Sequence, residues 1–295
     1  MTISRQIQHA TFHQEKLLAL IANNSGKILE RIRGMETGKA IMADETGISW
    51  TDHTHNEWWG CSAPAGAGCD HCYAAMLDKR TGGHHFGIGT APRLTKEQNR
   101  NKPYRWNREA EAAGKRAKVF CGSMMDFFDK NAPEGARGPL WEKIRATAWL
   151  DWQLLTKRPS NIPAMLPADW ENGYGNVWLG TTVENRRNGL RRLDQIRHIP
   201  AKVRFLSVEP LLEDLGEINL SGIHWVIVGG ESGHGFRKME QVWADRVIAQ
   251  CREQGVSVFF KQWGGTSPDA GGCLINGIEI KEWPNKQSIR QYVTA

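Results

Sequence analysis

Short apolar runs rich in β-branched and aromatic residues recur along the chain, and each ends in polar residues or glycine. They are Ile48–Thr51, Ala117–Cys121, Trp152–Thr156, Val177–Thr182, Val203–Val208, Trp225–Val228 and Val256–Lys261. Between them, Leu140–Trp149, Arg186–Arg197 and Val242–Gln254 have the length and periodicity of helices. Strands alternating with helices predict βαβ units and a parallel sheet. Val226–Val228 and Val256–Phe260 are apolar on both faces, as expected of strands covered by helices outside and filling a barrel inside. The α/β fold class expected is therefore a partial or complete parallel (β/α) barrel, with an open doubly wound sheet as the alternative. No Gly-x-Gly-x-x-Gly follows the first run, which counts against a dinucleotide-binding sheet.

Residues 1–45 read differently. Leu17, Leu18, Leu20, Ile21, Ile28, Leu29 and Ile32 fall at roughly helical spacing, interrupted at Asn23–Gly26. This predicts a helical N-terminal extension of two short helices, followed by one main domain over 46–295.

The net charge is +6 and the pI about 9.0. Such a balance admits a polyanionic partner such as nucleic acid without requiring one. Arg186, Arg187, Arg191, Arg192 and Arg197 form a local concentration, which a solvated helix face would also explain. No run of about 18 apolar residues marks a membrane span, and no signal-peptide core opens the chain. A cytoplasmic location is expected. Six cysteines in a reducing compartment do not suggest a disulfide framework; metal binding, catalysis or burial remain.

Cys61, Cys69 and Cys72 stand in Cys-x7-Cys-x2-Cys spacing, after the first strand-like run and before a helical segment, Ala74–Lys79. Three thiolates can hold a [4Fe-4S] cluster, leaving one iron open to chelate the amino and carboxylate groups of S-adenosylmethionine. The same cysteines with His71, His53 or His55 could instead form a zinc site, which would suit a zinc-stabilised nucleic-acid-binding protein without catalysis. Cys121 and Cys251 read as core and Cys273 as a loop residue.

The strand ends are polar: Ser123 and Asp126, Lys157 and Arg158, Thr182 and Glu184, Ser207 and Glu209, Glu231 and Ser232, Lys261 and Gln262. In (β/α) barrels the active site lies at the C-terminal ends of the strands, so these residues are expected to face one cavity.

The stretch Ile48–Asp52, Asn56 and the cysteine loop through Ala74 resembles the phage-associated three-cysteine proteins long classed as a domain of unknown function, relatives of radical S-adenosylmethionine enzymes. The resemblance continues through Leu155–Pro159, Leu179–Glu184, Ser207–Leu211, Gly229–Gly233 and Phe260–Gly264, and covers about residues 46–285. It implies a partial barrel of the radical S-adenosylmethionine type with a [4Fe-4S] cluster on Cys61, Cys69 and Cys72 at the strand mouth. The loop is longer by four residues than the superfamily's usual Cys-x3-Cys-x2-Cys. The resemblance further implies reductive cleavage of S-adenosylmethionine to a 5′-deoxyadenosyl radical, with an electron donor such as flavodoxin or ferredoxin. An isomerase or base-modifying enzyme acting on a nucleic-acid base or base adduct is expected, with phage DNA hypermodification preferred. On this reading Gly229 and Gly230 let backbone approach the cofactor. Ser123, Thr182, Glu184 and Glu231 offer polar groups to it, and Lys157 and Arg158 suit a carboxylate or phosphate. Tyr73 and Trp263 suit stacking, and Lys261 and Glu209 are the acid/base candidates.

Overall fold

A computed structural model describes residues 46–62, 66–267 and 270–284. The helices expected within 1–45 lie outside the described residues. The strands are β1 (His53–His55), β2 (Trp58–Trp59), β3 (Arg93–Leu94), β4 (Ala117–Cys121), β5 (Leu150–Thr156), β6 (Val177–Thr182), β7 (Val203–Val208), β8 (Trp225–Gly229), β9 (Ser257–Gln262), β10 (Leu274–Ile275) and β11 (Ile278–Glu279). The helices are α1 (Ala67–Asp70), α2 (Tyr73–Arg80), α3 (Glu97–Arg100), α4 (Lys102–Ala112), α5 (Arg137–Ala146), α6 (Arg191–Arg197) and α7 (Gln241–Glu253). β1 and β4 to β9 form one seven-stranded sheet in chain order, every pair parallel.

Alternation within the apolar runs sorts residues between two layers. Trp152, Leu154, Leu179, Leu206, Val226, Val228, Val258 and Phe260 join the cluster formed with Trp106, Leu140, Ile144, Leu193, Val247 and Cys251 of the helices. Phe120, Trp178, Phe205, Trp225, Ile227 and Phe259 form a separate inner cluster with Trp50. The sheet must curl to do this. In a flat sheet β4 and β8 would be about 19 Å apart. Yet the Trp50 ring lies 4.7 Å from Phe120 and 6.1 Å from Trp225, centroid to centroid. Gly180 makes room for this filling, because a Cβ there would come within 2.3 Å of the Phe205 ring.

The barrel is partial, with β1 and β9 as its edges. Residues 280–282 cover β9: Phe260 N donates to Ile280 O (2.8 Å) and Glu282 N to Val258 O (3.2 Å). Trp283 Nε1 then reaches Trp50 O at 3.2 Å, spanning the gap. Covering an open edge in this way removes a template for unwanted strand pairing. Among the described residues no helix is long and apolar enough to cross a membrane.

Two expectations shift. Ile48–Thr51 is a turn rather than the first strand, with Thr51 N donating to Ile48 O. Trp50 is needed as the inner plug, and pairing starts at His53. Arg186–Arg197 is a π-helical turn, Arg186–Leu190, running into α6.

Candidate active site

Cys61 is held by the strand mouth itself. It follows β2, and a buried charge cluster moors the approach: His55 Nε2 lies 2.9 Å from Glu57 Oε2, and Lys143 Nζ of α5 donates to the same oxygen at 2.5 Å. Burial works against the Glu57 carboxylate, but His55 and Lys143 hold it below its ordinary value. Burial pushes the His55 imidazole down. Cys61 N donates to His85 O, and Gly87 N donates to Cys61 O. Gly60 permits this contact, since a Cβ would lie 2.4 Å from the His85 oxygen. Ser62 donates through both N and Oγ to Asp129, each at 2.7 Å. Arg158, just past β5, closes the knot. Its Nη1 donates to Asp126 (2.8 Å) and to Cys61 Sγ (3.5 Å), and its Nη2 to Ser62 Oγ (2.7 Å).

Cys69 and Cys72 belong to a different anchor. Cys69 lies in the four-residue helix α1, and Cys72 directly precedes α2. Arg237, after β8, donates to Ala67 O at 2.8 Å and binds the Glu231 carboxylate with Nε and Nη2. His71 Nδ1 lies 3.2 Å from the same carboxylate. Burial opposes the Glu231 charge, but Arg237 holds it below the usual carboxylate range. Under this turn sits Glu184. A Cβ on Gly68 would come within 3.0 Å of its carboxylate. Arg192 donates to Glu184 Oε2 at 2.5 Å, while Oε1 is buried with no hydrogen-bond partner among the described residues. Burial pushes the Cys69 thiol up, and the nearby Lys157 charge works against that rise.

The rest of the mouth is polar. Lys261 Nζ donates to Glu209 Oε1 at 2.5 Å, which joins the two acid/base candidates across β7 and β9. Gly229 leaves room for them, because a Cβ would lie 3.2 Å from the Glu209 carboxylate. Tyr73 hydroxyl donates to Ser123 O at 2.5 Å, so its ring spans from α2 to the loop after β4. Tyr73 remains 52% exposed, and desolvation of its hydroxyl pushes its pKa up. Ser123 Oγ accepts from Asn56 Nδ2 at 2.8 Å. Thr182 is buried at the end of β6, and its carbonyl accepts from Arg192.

A family model described as a protein of unknown function, DUF5131, matches residues 45–290. The chain belongs to this family. A comparison with curated proteins gave no match. Among solved structures the chain is similar to spore photoproduct lyase complexed with dinucleoside spore photoproduct. There the identity is 11% and the TM-score 0.43, over 72% of this chain and 64% of that one. It is also similar to a variant of that lyase with bound AdoMet and dinucleoside spore photoproduct. Here the identity is 14% and the TM-score 0.42, over 70% of this chain and 62% of that one. The chain thus spans less than two thirds of the length of these structures.

In this DUF5131 chain several expected roles move. At Gly230 a Cβ would meet Trp263 O at 1.9 Å. The glycine packs the loops after β8 and β9 together. Glu231 spends its carboxylate on Arg237 and His71, so it holds the cysteine turn. Arg158 is committed to Asp126, Ser62 and Cys61 and is not a free anion ligand. Lys157 is the contrasting neighbour: among the described residues no hydrogen bond or ion pair engages its ammonium. Trp263 turns toward β10, where Nε1 donates to Leu274 O. Of the clustered arginines, Arg192 is buried on Glu184, and Arg197 binds Asp194, Asn219 O and Ser221 O. Arg186, Arg187 and Arg191 stay exposed. Sequence reasoning missed Ser62, a spacer residue of the cysteine motif, and Asp129, Lys143 and Arg237, which stand in no motif.

Among the described residues no three His, Cys, Asp or Glu side chains converge closely enough to hold a single metal ion. The histidines considered for zinc are engaged elsewhere: His53 is buried and stacked on Trp106 at 4.4 Å, His55 on Glu57, and His71 on Glu231. A cubane offers each thiolate a different iron and asks for no convergence on one point. Three cysteines outside any disulfide stand beside the mouth, none fully buried. An orphaned carboxylate oxygen lies under their loop, and a buried polar atom without a partner is a group that a ligand can satisfy. The residues present fit a three-cysteine cluster with an amine- or hydroxyl-bearing cofactor.

Proposed function

We propose that this chain is a radical S-adenosylmethionine enzyme of the three-cysteine kind, acting on a nucleic-acid base or base adduct. The observation that carries the reading is the setting of the three cysteines. Cys61 follows β2 beyond the C-terminal end of β1, the first strand of the parallel partial barrel, and the turn that carries Cys69 lies over the orphaned Glu184 Oε1. Cys61, Cys69 and Cys72 would hold a [4Fe-4S] cluster. Glu184 Oε1 would accept from the cofactor's ammonium or ribose hydroxyl, and Lys157 would meet its carboxylate. When bound and reduced, that pair supplies a 5′-deoxyadenosyl radical able to take a hydrogen atom from an unactivated carbon.

The chain's own residues do the rest. Tyr73 and the wall from Asn56 to Ser123 narrow the mouth and keep water from the reacting carbon. Thr182, Glu209 and Lys261 offer the substrate a polar floor that fixes one carbon against the cofactor. The Lys261–Glu209 pair can give a proton to, or take one from, a heteroatom of the substrate. The exposed Arg186, Arg187 and Arg191 beside the mouth would favour a phosphate-bearing substrate. Electrons would come from a flavodoxin- or ferredoxin-type donor in the cytoplasm. We place the enzyme domain at 46–295, with 1–45 as a separate extension.

The test is made on protein reconstituted without oxygen. About four irons per chain and 5′-deoxyadenosine formed with dithionite and S-adenosylmethionine, both lost in Cys69→Ala, are expected. One zinc per chain and no cofactor cleavage would refute the reading.

A further inference from the structure

We infer that Arg158 is a positioning residue for the cluster: by donating to Cys61 Sγ it holds that thiolate in place and raises the reduction potential of the metal centre. This rests on the cluster reading above. Arg158 Nη1 lies 3.5 Å from the Cys61 sulfur. The guanidinium is not free to swing away. Its Nη1 also donates to Asp126, and Nη2 donates to Ser62 Oγ and pairs with Asp129 at 3.4 Å. Asp126 is itself fixed, accepting from Thr156 Oγ1 (2.7 Å), Phe128 N and Lys157 N. Asp129 accepts from Ser62 twice and from Asn131 N. The planar fork matches four partners at once: two carboxylates, a hydroxyl and a sulfur. Lysine, a point charge, cannot reproduce that geometry.

The chemistry follows from the sulfur. A thiolate bound to iron pushes electron density onto the metal. An N–H donated to that sulfur withdraws some of it, and so favours the reduced cluster. Asp126 and Asp129 neutralise the guanidinium charge, so the directional N–H···S contact is the part of Arg158 that the cluster feels most. Cys69 and Cys72 lie in another environment, so the iron on Cys61 would be electronically distinct.

The experiment uses the full chain, anaerobically reconstituted, as wild type, Arg158→Lys and Arg158→Gln. Folding is first checked by the thermal melt of each apo-protein. The potential is then read by a redox titration followed by EPR, and the iron–sulfur stretching bands by resonance Raman. Both folded variants are expected to show a more negative potential and shifted iron–thiolate bands. Arg158→Lys should be closer to wild type than Arg158→Gln. Loss of iron from a folded variant would equally support a holding role. Unchanged potential and bands in folded, iron-loaded variants would overturn the inference while leaving the cluster reading intact. Zinc instead of iron in the wild type would overturn both, and the metal count tells the two failures apart.

Discussion

The two ends of the cysteine motif are built differently. Cys61 sits just past β2, bracketed by His85 and Gly87, with its neighbour Ser62 bound to Asp129 and its sulfur beside Arg158. Cys69 rides on a four-residue helical turn that gains nothing from its own length, since short helices are unstable alone, and Cys72 follows it directly before α2. They depend on Arg237 and Glu231, more than 150 residues later in the chain (His71 and Glu231 are 160 apart). Each end has its own anchor, so the number of residues between them need not set the geometry. That accounts for how a seven-residue spacer can separate Cys61 from Cys69.

The comparison can be broken at either end. The largest effect is chemical: Cys61→Ala and Cys69→Ala should each abolish iron retention and 5′-deoxyadenosine formation, measured by metal analysis and chromatography. Next is Lys143→Met, which strips the buried Glu57 of its ammonium partner. Breaking a buried pair from one side costs about 3 kcal/mol or more, so the denaturant midpoint should fall sharply. A midpoint within error of wild type would show that this cluster does not moor the Cys61 end.

Arg237→Met should act locally. Hydrogen exchange should quicken across 67–72 while 58–62 stays protected, with a loss of about 1–2 kcal/mol from the charge-assisted bonds removed. Equal acceleration in both segments would mean that the two anchors are one unit.

The smallest effect is a pH dependence. The folded-state pKa values of His55 and Glu57 are both lowered. A depressed folded value means that the unfolded chain binds more protons, so stability falls as pH falls. The His55 part is complete above its ordinary 6.5 and is lost below it; the Glu57 part is lost below 4.5. The melting temperature should therefore decline below pH 6.5 and more steeply below 4.5. His55→Gln should remove the upper portion of that decline.

Much of the fold was readable from the chain. Val177–Thr182 and Val203–Val208 are the strands expected to the residue, because apolar runs of that length between turn residues have few alternatives. Ile48–Thr51 misled because Trp50 and Ile48 look like strand residues while serving as filling for the barrel floor. Local pattern records that a side chain is apolar, not which layer takes it. The cysteines and the polar strand ends were also legible, since spacing and position after a strand are properties of the sequence.

The sequence by itself determined the strand–helix alternation and the thiol set in the loop that follows the first strand. The tertiary structure decided which polar residues at that end are free and which are spent. Glu184, Glu209 and Glu231 read alike in the chain, each following an apolar run. Packing gives Glu231 entirely to Arg237 and His71, pairs Glu209 with Lys261, and leaves one oxygen of Glu184 with no partner. The cause is that a carboxylate's role depends on which donors reach it, and Arg192, Lys261 and His71 come from a helix, a strand and a loop that only the tertiary fold brings to these carboxylates.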